Sequence, residues 1–268
     1  MLGSSGESLS RLAADLDAAL AGGADGAAVS RDLFGAADVL RDQPALRRAA
    51  TDPSASIEAR SALATGVFGS HLDRAATSLV ATAAGLRWAS SSHLADALEQ
   101  LGVVSLVKSA DGAGEGDRLE QELFAFGRAV SDNPELRDAL ADPGRTVADK
   151  QALVRSLLAG RATGAATELA ARAVALSRPV VNAVNDYIDM AAEARNKSVA
   201  LVRVARPLGE ADQTKLSDAL SRQAGRPVHL NVVVDPSVLG GIHVEIGDDV
   251  IDGSIASRLD DAQRRLVG

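Results

Sequence analysis

Leu33-Phe-Gly-Ala-Ala-Asp-Val-Leu-Arg-Asp-Gln-Pro-Ala-Leu-Arg-Arg-Ala-Ala-Thr-Asp-Pro53 returns 90 residues later as Leu123-Phe-Ala-Phe-Gly-Arg-Ala-Val-Ser-Asp-Asn-Pro-Glu-Leu-Arg-Asp-Ala-Leu-Ala-Asp-Pro143. The match is ungapped. Leu33-Phe34, Asp42, Pro44, Leu46, Arg47, Ala49 and Asp52-Pro53 fall on Leu123-Phe124, Asp132, Pro134, Leu136, Arg137, Ala139 and Asp142-Pro143. The register continues: Ala62-Leu63 matches Ala152-Leu153, Ala75-Ala76-Thr77 matches Ala165-Ala166-Thr167, and Leu79, Ala81, Ala83 and Leu86 match Leu169, Ala171, Ala173 and Leu176. A register held this long marks a duplicated structural unit.

Each copy reads as a set of short helices, with Asp-Pro placing an N-cap before a proline at the first helical position. An apolar stripe precedes each copy. Leu9, Leu12, Leu16 and Leu20 lead into the first, and Leu119, Leu123, Phe126 and Val130 lead into the second. Between them a helical stretch from about Leu86 to Val107 is followed by Ser109-Ala-Asp-Gly-Ala-Gly-Glu-Gly116, which reads as a linker. The expected domains are therefore residues 1–108, a first helical repeat; 109–197, a second; and 198–268, a terminal α/β domain.

After position 197 the hydrophobic period changes from helical to alternating. Val199, Leu201 and Ala205 alternate with Ala200, Val202 and Val204 as in a strand, and a helix follows from about Glu210 to Ala224. Val228 to Val234 gives a second strand, closed by Asp235-Pro236. Ile242, Val244 and Ile246 alternate with His243 and Glu245 in a third, Gly247-Asp248 supplies a turn, and Val250-Ile251 returns. Asp252-Gly253-Ser254 then breaks the chain and offers capping oxygens to a helix carrying Ile255, Leu259, Ala262 and Leu266 on one face. The fold class is mainly α: a duplicated helical bundle, then a small α/β domain with a short sheet.

Composition narrows the function. Alanine and leucine dominate, 46% of the 268 residues are apolar and only 2% aromatic, which suits closely packed helices. The formal charge of −8 with both signs interspersed provides no basic stripe for phosphates, so nucleic acid is not an expected partner. Cysteine is absent, removing disulfides and thiolate metal sites. The first residues lack a basic start followed by an apolar run, and no later segment is long and apolar enough to span a bilayer.

Chemistry-bearing constellations are scarce. His71, His93, His229 and His243 have no second ligand at helical spacing, so no metal is expected. Gly112-Ala-Gly-Glu-Gly116 and Gly160-Arg-Ala-Thr-Gly164 lack the Gly-Lys-Ser/Thr ending of a phosphate loop, and no cofactor is expected. Asp248, Asp249 and Asp252 cluster as turn residues do. No catalytic triad spacing is visible around Ser254. What remains is a binding protein whose small side chains leave grooves for a partner helix.

The C-terminal pattern Gly240-Gly241-Ile242, Ile246-Gly247-Asp248, Val250-Ile-Asp-Gly-Ser254 and Arg258-Leu259 resembles the signature of the delta subunit of F-type ATP synthases, called the oligomycin-sensitivity-conferring protein in mitochondria. The resemblance extends to Asn133-Pro134-Glu135-Leu136, Asp142-Pro143, Lys150, Leu153 and Leu157; the additional helical copy is similar to the longer actinobacterial form. It implies a stator protein without an active site, on the cytoplasmic face of the cell membrane. Its implied partners are the N-terminal helix of the alpha subunit and the C-terminal region of subunit b. The motif residues Gly240, Gly241, Ile246, Gly247, Asp252, Gly253, Ser254, Arg258 and Leu259 are implied as structural or interface residues. Two rival readings are a helical scaffold or regulator of another complex, and an enzyme whose site is assembled from dispersed residues.

Overall fold

The computed structural model describes residues 4–195, 198–205, 209–224, 228–234, 242–246 and 249–252. The chain is mainly helical and divides into two compact units, Met1–Ala191 and Ala192–Gly268.

The first unit carries α1 (Ser4–Ala21), α2 (Gly26–Asp42), α3 (Pro44–Ala50), α4 (Ile57–Phe68), α5 (Arg74–Gly85), α6 (Ser92–Gly112), α7 (Gly116–Asp132), α8 (Pro134–Ala141), α9 (Val147–Leu158), α10 (Gly164–Ala173) and most of α11 (Val180–Ala194). The sequence repeat is a structural repeat in the same register. α2, α3, α4 and α5 begin 90 residues before α7, α8, α9 and α10. Shifted forward by 90, α1 falls within α6, and α6 overlaps α11. The two copies are thus six-helix sets, α1–α6 and α6–α11, that share α6.

A helix that serves two bundles buries most of its surface, and α6 is apolar over more than one face, leaving Asp96 and Lys108 partly exposed. Leu94, Leu98, Leu101, Val103, Leu106 and Val107 are all buried, and α6 packs against α1, α2 and α5 of one copy and α7 and α10 of the other. The approach to α2 is close at Gly102, where a Cβ would lie 2.6 Å from the Phe34 ring. Leu12 and Leu16 of the α1 stripe, and all four apolar residues of the α7 stripe, are buried. Each such side chain contributes roughly 1.5–3 kcal/mol of transfer free energy.

Two local expectations change. The segment expected as a linker is mostly helix, because burial of Leu106, Val107 and Ala110 carries α6 to Gly112. Only a tight turn follows, closed by Gly114 at φ +77, a left-handed conformation that glycine adopts without a Cβ clash. The expected boundary at 108/109 therefore falls inside a helix. Asp52-Pro53 and Asp142-Pro143 do not cap helices: Asp52 and Asp142 accept the backbone N–H of Ser54 and Gly144, each at 2.8 Å, forming turns. The caps come four residues later, where Ser56 and Thr146 accept from Ala59 and Asp149. Pro44 and Pro134 do occupy first helical turns, in α3 and α8.

A second pair of devices also repeats in register. Asp32 on α2 accepts the N–H of Asp73 at 2.7 Å, and Glu122 on α7 accepts that of Thr163 at 2.7 Å. Asp73 and Thr163 then cap α5 and α10. Each copy thereby ties its second helix to the start of its fifth.

In the second unit, β1 (Ser198–Val204), α12 (Glu210–Ala224), β2 (Val228–Val234), β3 (Ile242–Ile246) and β4 (Asp249–Asp252) form a sheet of order β2-β1-β3-β4. β1 runs parallel to β2 and antiparallel to β3, which pairs antiparallel with β4. α12 supplies the crossover that a parallel pair requires. Val202, at the centre of β1, pairs with Val232 and Val244, and Val202, Val204 and Val244 are buried. Among the described residues, no helix is long and apolar enough to cross a membrane.

Candidate functional site

The residues that join the two copies form a buried ionic cluster around Glu99 of α6 and Arg172 of α10. Arg172 Nε donates to Glu99 Oε1 at 2.9 Å and its Nη2 to Oε2 at 2.5 Å. The other edge of the guanidinium grips Asp38 of α2, with Nη1 and Nη2 donating to Oδ2 and Oδ1 at 2.6 and 2.7 Å. Tyr187 of α11 donates its hydroxyl to Glu99 Oε1 at 2.5 Å, and Arg41 Nη1 of α2 donates to Oε2 at 2.8 Å. Phe34 of α2 completes the enclosure, its ring centroid 4.8 Å from the Arg172 guanidinium carbon.

Glu99 and Arg172 side chains are each 6% exposed and Tyr187 is fully buried. Burial alone would raise the Glu99 pKa. The hydrogen bonds and charge of Arg172, with the bonds from Tyr187 and Arg41, outweigh it and hold Glu99 below the usual carboxylate value. Burial and the Glu99 charge push the Tyr187 phenol up. Burial lowers the Arg172 pKa, but its bonds to Glu99 and Asp38 raise it further, so Glu99 and Arg172 stay charged and Tyr187 neutral. A satisfied bidentate pair of this kind specifies one arrangement of its helices.

Apart from Phe34, none of these residues was picked out by the sequence motifs, yet the repeat carries a signal. In register, Asp38, Arg41, Ala97, Glu99 and Thr82 face Arg128, Ser131, Tyr187, Asp189 and Arg172. The copies differ at each of the charged and hydroxyl positions that build the joint, whereas Phe34 repeats as Phe124, because a polar residue bridging the two copies has no reason to repeat within each.

Two grooves accompany the joint. One runs between α1 and α5, with a volume of about 930 Å³, lined by Ala18, Ala19, Ala75 and Leu79. The other, about 890 Å³, lies between α2 and α10 above the end of α6. Small side chains dominate both.

The sequence motifs are placed as follows. Ile246 ends β3, opposite Asp249 and Ala200, and Asp252 ends β4, opposite His243. Gly240, Gly241, Gly247, Gly253, Ser254, Arg258 and Leu259 lie outside the described residues, as does the helix expected from Ile255. His93 shares a 2.8 Å hydrogen bond with Ser5 Oγ, and His71 is exposed. Among the described residues, no group of three or more histidine or acidic side chains is placed to hold a metal ion. Gly112–Gly116 and Gly160–Gly164 span the short connections between helices, with Gly112, Gly116 and Gly164 themselves the terminal residues of α6, α7 and α10.

Residues 103–266 match the family model described as ATP synthase delta (OSCP) subunit. The match begins within α6 and takes in the second copy and the terminal unit. An ATP synthase subunit delta from Nocardioides sp. is 52% identical over 267 residues, covering 99% of this chain and 97% of that protein. The subunit delta of Streptomyces coelicolor is 40% identical over 270 residues, covering 100% and 98%, and that of Kineococcus radiotolerans 42% over 248, covering 92% and 90%. These relatives span both helical copies. With a family model matched over more than half its length and full-length relatives well above 30% identity, the chain belongs to the ATP synthase delta (OSCP) subunit family.

Proposed function

We propose that this protein is the stator connector of an F-type ATP synthase, with its helical unit gripping the N-terminal helix of the alpha subunit and its terminal unit gripping the C-terminal region of subunit b. Family membership makes it a structural subunit of the ATP synthase stalk, not itself catalytic. It would work at the cytoplasmic face of the cell membrane, held there through the complex. Torque from the rotor would otherwise drag the catalytic head around, so the connector must resist shear.

The observation that carries this reading is the way the two helical copies are joined. Two bundles share one helix, and a buried bidentate ion pair links α6, α10, α2 and α11. The motif residues Gly240, Gly241, Ile246, Gly247, Asp252, Gly253, Ser254, Arg258 and Leu259 are read as structural or interface positions for the subunit b contact.

Titration calorimetry of the intact protein against a peptide from the N-terminus of the same organism's alpha subunit tests the grip. Saturable one-to-one binding is expected. Absence of binding by the folded protein would favour a scaffold for a different complex.

A further inference from the structure

The first helix of copy one lacks the second bundle that holds its register equivalent, α6, and polar contacts tie it down instead. Ser5 and Ser8 of α1 both reach the connection between α5 and α6. Ser8 Oγ donates to the Arg87 carbonyl at 2.7 Å, and Ser5 Oγ accepts the Ala89 N–H at 2.9 Å. Ser5 Oγ also lies 2.8 Å from Nδ1 of His93, in the first turn of α6. Arg60 holds the start of the connection through the carbonyls of Gly85 and Leu86, so α1 secures only its later residues. Copy two does not repeat the tie. Ser5, Ser8 and His93 fall on Ala95, Leu98 and Ala183, and Ala89 falls on Pro179, which has no N–H to donate.

Ser5 is fully buried, so its hydroxyl hydrogen needs an acceptor. With Oγ accepting from Ala89, His93 Nδ1 is the one acceptor for it among the described residues. The imidazole bonded in this way is neutral, with its proton on Nε2. A second proton, added at Nδ1, would leave the buried hydroxyl without an acceptor. His93 also lines a cavity with Asp96 and Glu99 of its own helix, Asp38, Arg41 and Asp42 of α2, Arg178 before α11 and Asp186 within it. Five carboxylates meet two arginines there, which favours a charged imidazole on that side. Of the charged residues that flank the tie itself, Glu7 on α1 and Arg87 in the connection are exposed to solvent.

We propose that His93 is a pH-operated latch on α1. Neutral, its Nδ1 accepts the Ser5 hydroxyl and the connection is held against α1. Protonated, the ring turns from Ser5 towards Asp42 and Asp96, and the contact between α1 and residues 87–89 loosens. Histidine ordinarily changes charge between about pH 5 and 8, so the latch opens as pH falls through that range. The α1 wall of the α1–α5 groove is released with it.

Trp88, the single tryptophan of the chain, lies in this connection, packed against the core of copy one with its indole N–H donating to the Ala83 carbonyl at 2.9 Å. Its fluorescence in the full-length protein reports the latch. From pH 8 to 5 the emission is expected to move to longer wavelength, with a midpoint between about pH 5.5 and 7. Hydrogen exchange of the Ala89 amide, corrected for its intrinsic pH dependence, is expected to show opening about ten-fold more frequent at the acid end, as one unsatisfied buried hydroxyl implies. His93→Asn keeps an acceptor and does not titrate, so its emission should stay at the pH 8 position throughout. Ser5→Ala should show the low-pH emission already at pH 8. His71→Asn, at the exposed histidine of the same copy, should titrate like wild type. Wild-type emission and Ala89 exchange that do not change over this range would overturn the latch. So would an equal shift in His93→Asn, or loss of the shift in His71→Asn. The exchange measurement needs only the wild-type chain and stands even where a variant fails to fold.

Discussion

Glu99→Ala is expected to destabilise the helical unit by about 3–5 kcal/mol, lowering its melting temperature by roughly 6–20 °C. The substitution leaves Arg172 buried with three of its five hydrogen bonds lost, and Tyr187 with a buried hydroxyl that has lost its acceptor. The loss should exceed that of an ordinary core truncation of similar size, because a buried guanidinium left with only one of its two carboxylate partners is added to a cavity. Replacing both partners, as Glu99→Met with Arg172→Met, should recover much of the deficit, since apolar groups of similar volume need no partner. Urea unfolding of the two variants checks this. A deficit under about 1 kcal/mol for Glu99→Ala, the range of exposed pairs, would mean the cluster is solvated.

The same cluster fixes a pH dependence. The Glu99 pKa is lower in the folded chain than in the unfolded chain, so its ionisation stabilises the fold. That contribution is fully present above the unfolded carboxylate value of about 4.3 and is lost as pH falls through the lower folded value. The stability difference between wild type and Glu99→Gln should therefore be constant from about pH 6 to 8 and shrink below about pH 4.

The second large effect concerns where the chain can be cut. A fragment of residues 109–268, starting at the linker that composition suggests, lacks nearly all of α6 and with it Glu99, Gly102 and Leu106. It is expected to lose cooperative thermal unfolding. A fragment of residues 92–268 retains α6 through α11, and with them the Glu99, Arg172 and Tyr187 cluster. It is expected to melt cooperatively, though below the full chain, because Leu94, Leu98 and Leu101 lose their cover from the first copy. Circular dichroism during heating separates the two. Equal cooperativity in both fragments would show that α6 is not the first helix of the second copy.

That difference also shows what the sequence could and could not convey. The 90-residue register and the stripes that lead into each copy were legible, because apolar residues such as Leu119, Leu123, Phe126 and Val130 are set by burial within one copy. The end of α6 was hidden. Ser109, Gly112, Gly114 and Gly116 have loop composition, and only tertiary burial of Leu106, Val107 and Ala110 holds that segment helical as far as Gly112. Asp-Pro looked like a cap, but its carboxylate was free to close a turn while Ser56 and Thr146 took the capping role. The joint was invisible to motif reading because its polar residues are scattered from Asp38 to Tyr187 and belong to no shared pattern. Its trace was negative: the places where one copy does not repeat the other.

The most direct test of the connector itself uses the same organism's catalytic head purified without this protein, together with a soluble C-terminal fragment of subunit b. Sedimentation of the mixture, with and without this protein, asks whether one chain bridges two. A single faster-moving species containing head, this protein and the subunit b fragment, absent when this protein is omitted, is the predicted result. Sedimentation of the fragment with the head in its absence, or failure of this protein to join either component, would contradict the stator account.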